Sequence, residues 1–448
     1  MIKAKSNMER VRSAPANAPA TDFPVKLLRA KFPALQGREP FVFFDNAAGA
    51  QIPQTVLDAV THHLLNRMVQ RGGRYRQSRE VDETIAHGRE SVAMFLNSND
   101  PSEVAFGMNA TSFIRTVSLA VGQTLDKRNE IIVTDMDHEA NVATWLALER
   151  EGAKFVWWKM REDGNLHPED LDELLTPRTR LVACTVTSNA IGSIVDVAEV
   201  AKRAHEAGAD VFLDCVHYGP HGPIDVQAWD CDYLTCSGYK VFSPYMGFMW
   251  GKRKKLEALP TFREDFIPDE PPGKIEAGTY VYENVAGMDA AIGYLESIGR
   301  NLESDRNGAK SRNGRKDQKN AARRTRRENL VSAIKAIQAY ERLLSLELLR
   351  VLAECGATVY GISEPERVNE RVPTICFNLP GIDPATVTEK LSGVSIGVRD
   401  GHMYSPRLMK RLNLTMESGA VRASLVHYNT FDEIHRFGNV LRDLARKN

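Results

Sequence analysis

"RLVACTVTSNAIGSIVDVAEVAKRAHEAGADVFLDCV" occupies residues 180–216. It opens with an apolar run, Arg180–Asn189, and closes with another, "ADVFLDCV". Between them, "DVAEVAKRAHEAG" places Val197, Val200, Ala201 and Ala204 on one helical face. Near-continuous apolar runs read as strands buried on both faces, and an amphipathic helix between two of them is the crossover a parallel pair requires. The same texture lies upstream, where the strand-like "EIIVTDMD" (Glu130–Asp137) precedes a helical "ANVATWLALEREG" ended by Gly152. The pattern predicts an α/β fold around a mostly parallel central sheet, with ligands beyond the carboxyl ends of the strands.

Working outward, 448 residues suffice for two domains. Hydrophobic residues make up 43% and charged residues 26%, an ordinary globular balance. The formal net charge is zero, so nothing global points to nucleic acid or an anionic membrane. Six cysteines (184, 215, 231, 236, 355 and 376) form no CxxC pair, which fits reduced thiols in a cytoplasmic protein and neither a disulfide framework nor a zinc site. The first 22 residues lack the apolar stretch of a signal peptide, and no run approaches membrane-spanning length. From Arg300 to Glu328 the chain carries eleven Lys/Arg and four acids, the composition of a solvated linker or helix extension. A long helix is predicted from about Arg326 to Glu354, closed by Gly356, and "TVYGI", "TICFNL", "VSIGVR" and "AVRASLVHYN" predict a smaller α+β domain. The expected organisation is an N-terminal segment (1–40), a large domain (41–299), a basic linker or insert (300–328) and a small C-terminal domain (329–448).

Two charges interrupt the apolar strands. Asp214 ends one, and Lys240 follows the next in "TCSGYKVFSPYMG" (235–247). Burying either is costly unless it is paired, so a plain ion pair is one reading. The other is a site for pyridoxal 5'-phosphate (PLP), whose aldehyde needs a lysine and whose ring nitrogen needs an acid. "FGMNATSFIRTV" (106–117) offers small polar residues where a helix starts, a favourable seat for a phosphate, and His138 offers a flat ring. His217 and His221 are poor candidates for a metal pair, because Gly219 and Pro220 between them break the helix that would align them.

The blocks "FFDNAAGAQIPQTV" (43–56), "HEANVATW", "TVTSNAIGSIVDV", "DCVHYGPHGPIDV", "SGYKVFSPYMG", "EAGTYVYENVAG", "VRDGHMYSPRLM" and "VRASLVHYNTFDEI" (421–434) resemble the class V aminotransferase family of fold-type I PLP enzymes, in its cysteine-desulfurase-like branch. The resemblance implies that Lys240 forms the imine with PLP, Asp214 partners the pyridine nitrogen and His138 stacks on the ring. It implies a phosphate cup of Ala110, Thr111, Ser237 and Tyr239, although desulfurases carry His at the last position. Asn189 and His217 fall where side chains approach the cofactor or substrate, although desulfurases have Gln in place of His217. Arg422 matches the clamp for a substrate α-carboxylate, and Arg399 and Asn189 are further substrate-binding candidates. Thr279 matches a threonine that reaches the partner subunit's phosphate, which implies a homodimer with shared sites.

One departure bears on the reaction. The desulfurase loop that resembles "VRDGHMYSP" carries the sulfur-accepting cysteine, and Tyr404 stands at that position. A phenol cannot hold a persulfide. The expected function is therefore PLP chemistry on a small α-amino acid, lyase-type at Cα and Cβ, with Lys240 as the Cα base and Tyr404 as an acid or a packing residue. Decarboxylative aldol chemistry, epimerisation or transamination, and a catalytically silent binding protein on the same fold are the alternatives.

Overall fold

The computed structural model describes residues 21–37, 41–312 and 324–446; the first 20 residues and 313–323 of the basic stretch lie outside it. After a short strand, Val42–Phe43 (β1), seven strands build the central sheet: Val104–Gly107 (β2), Glu130–Thr134 (β3), Lys154–Trp158 (β4), Thr179–Thr185 (β5), Asp210–Asp214 (β6), Tyr233–Ser237 (β7) and Gly247–Gly251 (β8). Their order is β2-β8-β7-β6-β5-β3-β4, and only β8 runs against the others. The sheet is mostly parallel and the fold α/β, as the alternation of apolar runs and amphipathic helices predicts.

The strands are apolar throughout because both faces are covered. Val182, Cys184, Val211, Leu213, Leu234 and Cys236 enter one core, while Leu181, Ala183, Phe212 and Tyr233 enter another on the opposite face. Each fully buried large apolar side chain contributes about 1.5–3 kcal/mol. The crossover helix Val197–Glu206 buries Val197, Val200, Ala201 and Ala204, and Asp196 caps it by accepting from Glu199 N–H.

Four antiparallel strands form a second sheet in the order β12-β13-β10-β9: Thr358–Tyr360 (β9), Thr374–Asn378 (β10), Arg399–Gly401 (β12) and Ala420–Ser424 (β13). Ile396–Gly397 (β11) pairs with β1. The helix Arg326–Glu354 joins the two cores: Leu330, Ile334 and Ile337 pack with the central sheet, and Tyr340, Leu344 and Leu348 with the second. Its start is a capping box between Thr325 and Glu328. The basic stretch begins as the last turns of the helix Tyr282–Arg312. Within the N-terminal segment, Leu28 and Phe32 pack into the main core and Arg29 pairs with Glu433 at 2.7 Å. Among the described residues no helix is long and apolar enough to cross a membrane.

Candidate active site

The carboxyl ends of β3, β5, β6 and β7 open on one cleft. Register sets this up: β6 and β7 pair with Asp214 opposite Thr235, so both chains leave the sheet together. Asp214, Ser237, Tyr239 and Lys240 line the cleft with Ala110, Thr111, His138, Asn189 and His217. Nine residues expected at a cofactor site are thus brought together from five segments of the chain. The helix Ala110–Gly122 points its first turn into the cleft, with Asn109 capping Ser112 N–H. That helix start can approach β8 because residue 247 is glycine; a β-carbon there would overlap the backbone of Asn109.

Burial controls the charges. Lys240 is buried, and desolvation pushes its ammonium down to about 8; the Arg422 charge adds to this, and Asp214 opposes it. Burial raises the Asp214 carboxyl, against the bond from Val216 N–H (2.9 Å) and the Lys240 charge. Burial, then the Lys240 and Arg422 charges, lower His138 to about 4, so its ring is neutral at physiological pH. Ala140 N–H donates to His138 Nδ1 at 3.0 Å, which leaves the ring proton on Nε2. Burial likewise holds His217 well below the usual imidazole range.

Two polar atoms of the cleft lining, Thr187 Oγ1 and His217 Nδ1, are buried without a hydrogen-bond partner. Buried groups of this kind call for a polar ligand. With a helix N-terminus, a lysine, a carboxylate and a neutral imidazole around them, the donor set fits a phosphorylated pyridine aldehyde.

Arg422, 2% exposed, donates to Asn189 O (2.9 Å) and to Asp45 (3.0 Å), leaving its Nε without a partner. Arg399 also holds Asp45, at 2.8 Å. Tyr404 stands at the cleft mouth, half exposed, with its ring 5.8 Å from that of His138. Its loop is bolted down: Asn189 Nδ2 donates to Met403 O (2.8 Å), Ser405 donates to Asn189 Oδ1 (3.1 Å), and Glu139 N–H donates to Tyr404 O (2.8 Å). Met403 and Tyr404 both have positive φ, 52° and 57°. Thr279 is exposed, accepts from Gln70 Nε2 (2.6 Å) and does not line this chain's own cleft.

Sequence reasoning missed several residues here. Asp137 is buried beneath His138, bound by Thr134, by Asn141 (2.6 Å) and by Thr185 N–H (3.1 Å), and burial raises it to about 7. Its position beside His138 was the available signal. Thr374 of β10 meets His217 Nε2 at 2.9 Å. Between His217 and His221 the chain forms a turn and no helix, with their ring centroids 5.2 Å apart. His221 pairs with Glu341 at 2.8 Å, and among the described residues no His/Cys/Asp/Glu group is placed to hold a metal.

The sequence pattern of the family described as Aminotransferase class-V matches residues 42–318 and 330–437. An aminotransferase-like protein, FGM3, of Gibberella zeae is 31% identical over 93% of this chain and 97% of its own length. A cysteine desulfurase of an Enterobacter species is 32% identical over 92% and 96%. Among solved structures, the cysteine desulfurase CsdA of Escherichia coli superposes with a TM-score of 0.78 at 26% identity, covering 95% of this chain and 99% of that one. The apo cysteine desulfurase of Thermococcus onnurineus has a TM-score of 0.82 at 24% identity, covering 96% and 100%, a likeness of fold.

Proposed function

Because the chain belongs to the class V aminotransferase family, as a desulfurase-like enzyme whose cofactor is pyridoxal 5'-phosphate, we propose that it performs lyase-type chemistry at Cα and Cβ of a small α-amino acid without a protein-bound persulfide. The carrying observation concerns the thiols. All six cysteines are buried, and burial raises every one of them above the ordinary thiol range. A thiol held in that way supplies no thiolate to accept sulfur. Tyr404, which the sequence resemblance sets at the loop-cysteine position, has its ring 5.8 Å from that of His138 and carries no thiol.

In this reading PLP, when bound, supplies the electron sink. Ala110, Thr111, Ser237 and Tyr239 seat its phosphate, and Asp214 faces its ring nitrogen. His138, neutral and flat, would cover the ring, and Asn189 and His217, which line the same cleft, would hold the cofactor or substrate. Arg422 holds the α-carboxylate. Lys240, with its ammonium lowered to about 8, is neutral often enough near pH 7 to take the Cα proton. Tyr404, its ring 5.8 Å from that of His138, would be the acid for a departing β-substituent or a packing residue over the site. The same proposal includes a cytoplasmic homodimer divided at the boundaries given above. Its support is Thr279, exposed and outside its own cleft, together with the exposed Met108, Tyr245, Phe262 and Phe266.

The test is a screen of amino acids against the PLP-loaded enzyme, following absorbance, pyruvate, ammonia, CO₂ and solvent deuterium at Cα together. Pyruvate or another keto acid with ammonia is the expected outcome. CO₂ release from aspartate or deuterium exchange alone would reassign the reaction, and a persulfide-labelled cysteine after a single turnover with L-cysteine would overturn it.

A further inference from the structure

Arg399 and Arg422 are direct cross-strand partners in the antiparallel pair β12–β13, so their side chains leave the same face of the sheet. Two like charges in that position repel unless an anion lies between them. Asp45 is that anion. Its carboxylate takes Arg399 through Nε (3.1 Å) and Nη2 (2.8 Å), and Arg422 through Nη2 (3.0 Å). The pair therefore carries one net positive charge, and its fully buried open donor is the Nε of Arg422.

Asp45 belongs to the frame of the site. Ser424 N–H donates to Phe44 O at 2.7 Å, Ala47 N–H donates to Ser424 Oγ at 2.8 Å, and Asn46 Nδ2 donates to Ser424 O at 2.8 Å. Ser424 lies two residues after Arg422 on the same strand, so the loop carrying Asp45 is riveted to the strand carrying the clamp. Swinging the carboxylate aside would leave Arg399 facing Arg422 unshielded.

We propose that Asp45 is a specificity-determining residue: by occupying Arg399, it limits the arginine pair to one substrate carboxylate, so that this seat accepts amino acids whose side chain is not a second carboxylate. The inference rests on Arg422 as the carboxylate clamp. A dicarboxylate would have to displace Asp45 or bring an unmatched anion into a buried setting, and either cancels the gain from its second charged hydrogen bond. Converting Asp45 to Asn keeps the shape and frees Arg399.

Calorimetry with butyrate and succinate, which differ only in the second carboxylate, tests this on the apoprotein and again on the PLP-loaded protein. The wild type should bind succinate at least about threefold more weakly than butyrate, and Asp45→Asn should favour succinate by about tenfold or more, the scale of one charge-assisted hydrogen bond. Adding Arg399→Gln to Asp45→Asn should erase that preference, and circular dichroism of each variant checks the fold. A wild type that binds succinate as tightly as butyrate, an equal change for both ligands in Asp45→Asn, or no binding of either ligand to either protein overturns the proposal. Arg422→Gln separates the two readings: if it leaves butyrate binding intact, the clamp assignment itself fails, whatever Asp45 does.

Discussion

Lys240 should cost the apoprotein stability, and the cost can be measured. Its ammonium is buried and lowered from 10.5 to about 8, chiefly by desolvation and then by Arg422. Below about pH 8 both the folded and unfolded chains carry the proton, and the folded one holds it at a disadvantage. The unfolded state binds more protons between about pH 8 and 10.5, so this group makes stability rise with pH across that window. The full penalty at pH 7 is about 3 kcal/mol, from 2.5 pH units at about 1.4 kcal/mol each, and less than about 1 kcal/mol survives at pH 10. Lys240→Met keeps the length and apolar stem and removes the charge. Asp214 loses its cation, which trims the gain, so the variant should be about 2–3 kcal/mol more stable at pH 7. The measurement is the urea midpoint of both apoproteins by tryptophan fluorescence at pH 7 and pH 10. A variant no more stable than wild type at pH 7, or a gain undiminished at pH 10, would refute the electrostatic argument.

Two further substitutions probe the surroundings. Asn189→Ala removes the donor to Met403 O and the acceptor of the Ser405 hydroxyl; about 2–4 kcal/mol of stability should be lost, and amide exchange over residues 400–406 should accelerate. Glu341→Ala strands the buried His221 and should cost about 3 kcal/mol or more, whereas the paired replacement His221→Phe with Glu341→Leu should recover most of it in denaturant titrations.

The fold was legible because the strands of a doubly covered sheet must be apolar throughout, and residues 180–216 show that requirement without side information. The heart of the site was legible for a related reason: Asp214 and Lys240 are charges where an apolar strand has just ended, and only a partner or a ligand makes that tolerable. The reversal of β8 carries no such mark, since its side chains are buried on both faces whichever way it runs. Gly219 and Pro220 leave a turn and no helix between His217 and His221, but that those ring centroids then lie 5.2 Å apart carries no mark in the sequence.

Asp45 was least legible, and it bears most on specificity. It lies 354 residues from Arg399 and 377 from Arg422, so no local pattern connects them. Taken alone, each arginine reads as an anion seat, and two of them suggest two substrate carboxylates. The carboxylate between them removes one charge from that sum before any substrate arrives. Lys240 thus stands out within one short stretch, whereas Asp45, Arg399 and Arg422 meet only in the folded chain.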